Sequence, residues 1–188
     1  MDFFTKCFCE ATVLAAKTPR NGISIKFSPL VDYSTLKKAN AVQRLFLDFF
    51  DEACNNDAEA REVSLEALFT MMKKRIPALE QRIFLEYIKA VFRKDVDGVI
   101  SDQKISRFDW RLNTHIYNID SASNPVNPLV QMVAGFEESD LKQLKKFTER
   151  LDKIFALAKE KNVEALCDAE QTYVQYMIDS ITEQFSVR

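Results

Sequence analysis

Near the C-terminus, the apolar run Val163-Glu164-Ala165-Leu166-Cys167 stops abruptly at Asp168-Ala169-Glu170, and a helix-like stretch follows from Thr172. In α/β proteins, chemistry collects where a strand ends and the loop to the next helix begins. Asp168 and Glu170 are therefore the first candidates for a site. A second candidate is Lys26. Ile23-Ser24-Ile25-Lys26-Phe27-Ser28 alternates apolar and polar residues, which marks a strand and puts Lys26 on the face opposite Ile25 and Phe27. If the two strands are neighbours, an ammonium and a carboxylate can meet. A buried Lys–Asp pair is costly unless further hydrogen bonds satisfy it, so such a pair tends to mark a site. Each residue also has a plain structural use. A lysine at a strand edge snorkels to water, Asp168 can cap the last helix, and Glu170 can favour that helix's positive end.

Other constellations are weaker. Asp95-Val96-Asp97-Gly98-Val99-Ile100 is similar to the centre of a calcium-binding EF-hand loop. The acid at its first position and the bidentate Glu at its twelfth are replaced by Arg93 and Lys104, which argues against calcium. Asp109-Trp110 reads as a buried aromatic beside a capping acid. The cysteines Cys7, Cys9, Cys54 and Cys167 fit no zinc spacing, and His115 is the sole histidine. They read as reduced thiols of an intracellular protein. Lys and Arg number 26 against 28 Asp and Glu, so no net charge draws nucleic acid or an anionic membrane. No apolar run reaches the roughly 18 residues of a membrane span. A helical pattern starts almost at Met1, so no targeting peptide is expected in this chain.

The elements that must position these residues follow from periodicity. A helix is expected over 3–17, with Phe4, Phe8, Ala11 and Ala15 at helical spacing, broken by Pro19 and Asn21-Gly22. Residues 36–92 are helical in character, in stretches 41–53, 63–76 and 79–91. A loop at 94–98, a short element at 105–110 and a long polar connection over 113–135 come next. Ser139 can cap a helix over 140–161. Its Leu141, Leu144, Phe147, Leu151, Ile154 and Leu157 form a continuous apolar stripe, and Asn162 sits where a left-handed cap ends a helix. A strand over 163–167 and a helix over 172–185 complete the chain. Two strands, near 22–28 and 163–168, separated by a crossover helix imply parallel pairing. A closed (β/α)8 barrel needs eight strands. The expected fold class is helix-rich α/β: a fragment of a distorted (β/α)8 barrel with a long helical insertion.

Three stretches resemble mitochondrial, FAD-dependent proline dehydrogenases: Gly22-Ile23-Ser24-Ile25-Lys26-Phe27-Ser28-Pro29-Leu30, Phe108-Asp109-Trp110, and residues 136–181 with Asp168-Ala169-Glu170-Gln171-Thr172-Tyr173. The resemblance implies one partial domain over 1–188. Within it, 36–110 is the helical insertion, and 137–188 is a helix-strand-helix carrying Asp168-Ala169-Glu170. It implies a barrel holding FAD, oxidation of L-proline (or hydroxyproline) to 1-pyrroline-5-carboxylate, and transfer of the electrons to a quinone. It also implies the matrix side of the inner mitochondrial membrane, and no nucleic-acid partner. It makes Lys26 a catalytic and substrate-binding residue that holds the proline carboxylate, and Asp168 its catalytic acidic partner. Asp168, Ala169 and Glu170 become cofactor contacts. The chain departs from the family at Pro29, where Ala is usual, and at Tyr176-Met177, where Pro-Ala is usual. The family's substrate-binding arginines and remaining strands are expected further along, so this chain alone is expected to be inactive. The alternative is a non-catalytic helical interaction protein of the same descent; a calcium-responsive helical module is a third, weaker reading.

Overall fold

The computed structural model describes residues 2–19, 21–92, 103–113 and 128–186. The order begins with α1 (Phe3–Ala15), β1 (Gly22–Ile25), a 3-10 turn (Ser28–Leu30), α2 (Tyr33–Ala53), β2 (Glu62–Ser64) and α3 (Leu65–Arg75). It continues with α4 (Gln81–Phe92), β3 (Lys104–Ser106), α5 (Arg107–Asn113), α6 (Pro128–Ala134), α7 (Glu138–Lys161), β4 (Glu164–Cys167) and α8 (Thr172–Ser186). The chain is thus helix-rich with few strands, consistent with α/β. It divides into two compact units, Met1–Lys38 with Glu137–Arg188, and Ala39–Phe136.

In the first unit β1 and β4 pair in parallel, with Ile23 opposite Ala165, Ser24 opposite Leu166 and Ile25 opposite Cys167. Side chains alternate across a strand. Ile23 and Ile25 are buried on one face, while Ser24 and Leu166 stand exposed on the other. The long helix α7 packs beside this sheet and against α1. Its Leu144, Phe147, Leu151 and Ile154 are buried as the stripe requires, while Leu141 and Leu157 are half-buried. Asn162 does end it, at φ 52° and ψ 46°, and turns the chain straight into β4. The start differs from expectation. Ser139 is not the cap; the helix begins after Glu137, and the Asp140 carboxylate reaches back to accept the Glu137 N–H at 3.1 Å. A first-turn carboxylate does this well because it has two oxygens. It also accepts the Thr35 hydroxyl at 2.9 Å and the Lys38 ammonium at 2.7 Å.

The helix α1 forms where expected, but its buried positions are Thr5 and Thr12, with Phe4 exposed. Local bonding explains the polar choice: Thr5 donates its N–H and hydroxyl to Asp2, and Thr12 bonds the Phe8 carbonyl at 2.8 Å. Arg150 of α7 then holds Asp2 at 2.6 Å and also bonds the Leu30 carbonyl.

The second unit adds a sheet that periodicity did not announce. β2 and β3 pair antiparallel, with Val63 opposite Ile105. Strands of three residues are too short to show alternation, and β2 runs straight into α3, where the Ser64 hydroxyl accepts the Ala67 N–H at 3.2 Å. Residues 128–134, expected as connection, form α6. Pro128 opens that helix, where a missing N–H costs nothing. The core centres on Trp110, stacked on Phe92 at 5.8 Å and flanked by Phe46, Phe50 and Tyr87. Its indole N–H reaches the Phe46 carbonyl at 2.7 Å. The calcium-like segment Asp95 to Ile100 lies outside the described residues.

Candidate functional site

The parallel ladder runs one bond past the strands: the Asp168 N–H reaches the Ile25 carbonyl at 3.0 Å. Lys26 and Asp168 therefore step off adjoining strands at the same, C-terminal end. Alternation puts them on the exposed face with Ser24 and Leu166, and both are exposed. Their side chains do not form the expected ion pair. The Asp168 carboxylate accepts the Ser24 hydroxyl. Among the described residues the ion pairs of this unit include Lys38 with Asp140 and Arg150 with Asp2, and none joins Lys26 to Asp168. What parity brings together is Ser24, Lys26 and Asp168, with the ammonium left open to solvent.

Glu170 is placed differently. It is half-buried, and its Oε1 accepts two consecutive backbone N–H groups, Phe27 and Ser28, each at 2.9 Å. These groups open the 3-10 turn, where free N–H groups favour a carboxylate. Glu170 is itself braced. Its N–H donates to Gln175 Oε1 at 2.8 Å, and Gln175 Nε2 donates to Asp179 at 2.7 Å. Ala169, between the two acids, is exposed. Pro29 falls in the first turn of the 3-10 helix, where it withholds no needed donor.

Sequence reasoning did not select four residues here. Ser24 lies two residues before Lys26, and the same period-2 rule that placed Lys26 would have found it. Gln175 carries no motif signal. Tyr33 and Tyr173 meet edge to face at 5.7 Å, both largely exposed, one opening α2 and the other in the first turn of α8. Each begins the helix that follows one of the two strands, so separation in sequence hides the pair.

The opposite face is closed by helices and carries another feature. A groove of about 460 Å³ between α7, β4 and α8 is lined by Phe155, Val163, Ala165, Cys167 and Phe185, among others. Burial pushes the Cys167 thiol up, partly offset by a hydrogen bond from Thr182. This groove is on the side away from Lys26 and Asp168, so the groove and the charged end of the strands are separate features. All four cysteines are free thiols. Among the described residues no group of three or more His, Cys, Asp or Glu could hold a metal ion, and no helix is long and apolar enough to cross a membrane.

Chemically, the strand ends offer one open cation, one carboxylate oriented by a hydroxyl, and an exposed aromatic pair. An ammonium of this kind suits a ligand carboxylate or an electron-rich ring edge. Glu170 Oε1 does not fit as a direct ligand, because two backbone donors already occupy it.

No protein-family model and no solved structure matches the chain. Among curated proteins, a stretch of 49 residues is 43% identical to the mitochondrial proline dehydrogenase 1 of Dictyostelium discoideum. The match covers 26% of this chain and 9% of that enzyme. It points to at most a distant relationship with that enzyme, of whose length the match spans only a small part.

Proposed function

We propose that this chain contributes the Lys26–Asp168 end of a flavin-dependent proline dehydrogenase barrel, in which β1 and β4 are neighbouring strands. One observation carries the reading: two parallel strands in register release an ammonium and a carboxylate at the same end, on the same face. The match to a mitochondrial proline dehydrogenase supports the substrate class and a mitochondrial location.

In this reading the Lys26 ammonium draws the carboxylate of L-proline to the strand ends. Asp168, fixed by Ser24, adds a negative charge that attracts the cationic amine of the substrate. Tyr33 and Tyr173, at the starts of the helices that follow the two strands, add an exposed aromatic pair. FAD, when bound, supplies the hydride acceptor that turns proline into 1-pyrroline-5-carboxylate and passes the electrons to a quinone. The protein's part is orientation and charge.

Titration calorimetry with L-proline tests this. A charge-assisted contact contributes about 1.5–3 kcal/mol, so Lys26→Met should weaken binding by roughly tenfold or more. Lys104→Met, which removes a surface lysine 4.0 Å from Glu62, should leave it unchanged. Equal affinity in wild type and Lys26→Met would refute the assignment. A second reading has its own support: α1 exposes Phe3, Phe4 and Leu14, a face that suits a helical interaction protein. Self-association that Leu14→Glu abolishes, without any proline binding, would favour it.

A further inference from the structure

We infer that Glu170 is a positioning residue that sets the direction of Lys26, and that it acts through the backbone rather than by touching a ligand. The peptide groups on both sides of Lys26 are held by the segment from Asp168 to Glu170. On the N-terminal side, the Ile25 carbonyl accepts the Asp168 N–H at 3.0 Å. On the C-terminal side, the Phe27 and Ser28 N–H groups both end on Glu170 Oε1 at 2.9 Å. Lys26 itself lies past the end of β1, where the ladder no longer fixes φ and ψ. Without those bonds its Cα–Cβ direction would be set only by the neighbouring side chains.

The remaining contacts make the clamp stiff. Phe27 is buried edge to face against Phe147 of α7 at 5.7 Å, so the residue after Lys26 is anchored on the covered side of the sheet. Glu170 is anchored in turn to α8 through Gln175 and Asp179. Lys26 is therefore held between two fixed points, and the chain bends only at Phe27. That hold keeps Lys26 on the exposed face with Ser24 and Asp168. The Asp-x-Glu spacing follows from this geometry. The backbone N–H of the first acid serves the peptide group before the lysine, and the side chain of the second serves the two after it. A carboxylate suits this place because a single oxygen can accept two neighbouring N–H donors.

The inference uses the proposed function only for what Lys26 is there to bind; the clamp stands or falls without it. Two ligand-free measurements on the 188-residue chain decide it. Amide hydrogen exchange at Phe27 and Ser28 should be roughly tenfold faster in Glu170→Ala, and closer to wild type in Glu170→Gln, which keeps an oxygen in place. The backbone order parameter of Lys26 should fall from about 0.85 in wild type toward about 0.6 in Glu170→Ala and recover in Glu170→Gln. Unchanged exchange, an unchanged order parameter, or a Gln variant as impaired as the Ala variant would each overturn the inference. Titration with L-proline separates the two claims. No binding by wild type, with the exchange and order changes intact, removes the proposed function and leaves the clamp standing. Proline binding that drops in Glu170→Ala and recovers in Glu170→Gln supports both.

Discussion

Replacing Tyr87 by Phe should stabilise the protein, although Tyr87 is almost fully buried in the core of the second unit. The ring is 1% exposed and packs 5.6 Å from Phe46 and 6.4 Å from Trp110. Its hydroxyl has no hydrogen-bond partner among the described residues, and burial pushes the phenol pKa up. A buried unpaired hydroxyl costs about 1–3 kcal/mol of desolvation. Removing it leaves a gap no larger than a water molecule, for which a cavity term of about 24 cal/mol per Å³ amounts to a few tenths of a kcal/mol. The aromatic contacts of the ring stay. The net expectation is a gain of about 1–2 kcal/mol, or roughly 3–6 °C in Tm for a chain of this size. Urea and thermal unfolding, followed by Trp110 fluorescence, read this directly. A loss of more than about 1 kcal/mol would refute the reasoning, because it would mean that the hydroxyl makes a bond in solution.

Other expectations concern both units. Asp140 has its pKa raised by burial and lowered more strongly by hydrogen bonds from Lys38, the Glu137 N–H and Thr35, so the net shift is downward. Its folded pKa lies below the unfolded value of about 3.9, so its stabilisation is present above that pH and is lost as pH falls through the folded value. Thermal midpoints measured from pH 7 down to pH 2 should show this acid loss in wild type and a smaller one in Asp140→Asn. Leu151→Ala, at a fully buried position of α7, should cost about 2–5 kcal/mol in urea unfolding. Gly135 stands at φ +54°, so Gly135→Ala should lower stability by about 1 kcal/mol although nothing lies within 4 Å of the added Cβ; an unchanged midpoint would argue against that backbone conformation.

The long helices and the paired strands β1 and β4 were legible in the sequence; the shortest elements were not. The stripe of α7 repeats over about four turns, so its buried Leu144, Phe147, Leu151 and Ile154 could be read directly, as could the left-handed cap at Asn162. The alternation around Ile25 marked β1 and the face of Lys26. β2 and β3, at three residues each, carry no period, and α6 opens at Pro128, the second residue of one of two Asn-Pro pairs (Asn124-Pro125 and Asn127-Pro128) that read as loop. At the site, the residue types were visible and the partners were not. Nothing in Glu170 itself says that its oxygen ends on the backbone beside Lys26, because that bond joins residues 143 apart in sequence. The Ser24–Asp168 contact is hidden for the same reason, at a separation of 144.

The most direct test of the account is where L-proline perturbs the ¹⁵N–¹H spectrum of the protein. Saturable shifts centred on Ser24, Lys26, Asp168 and Tyr173, absent in Lys26→Met, are the predicted result. Shifts confined to α1, or to the Phe155–Phe185 groove on the other face of β4, would place any binding elsewhere and contradict the assignment of the strand ends as the site.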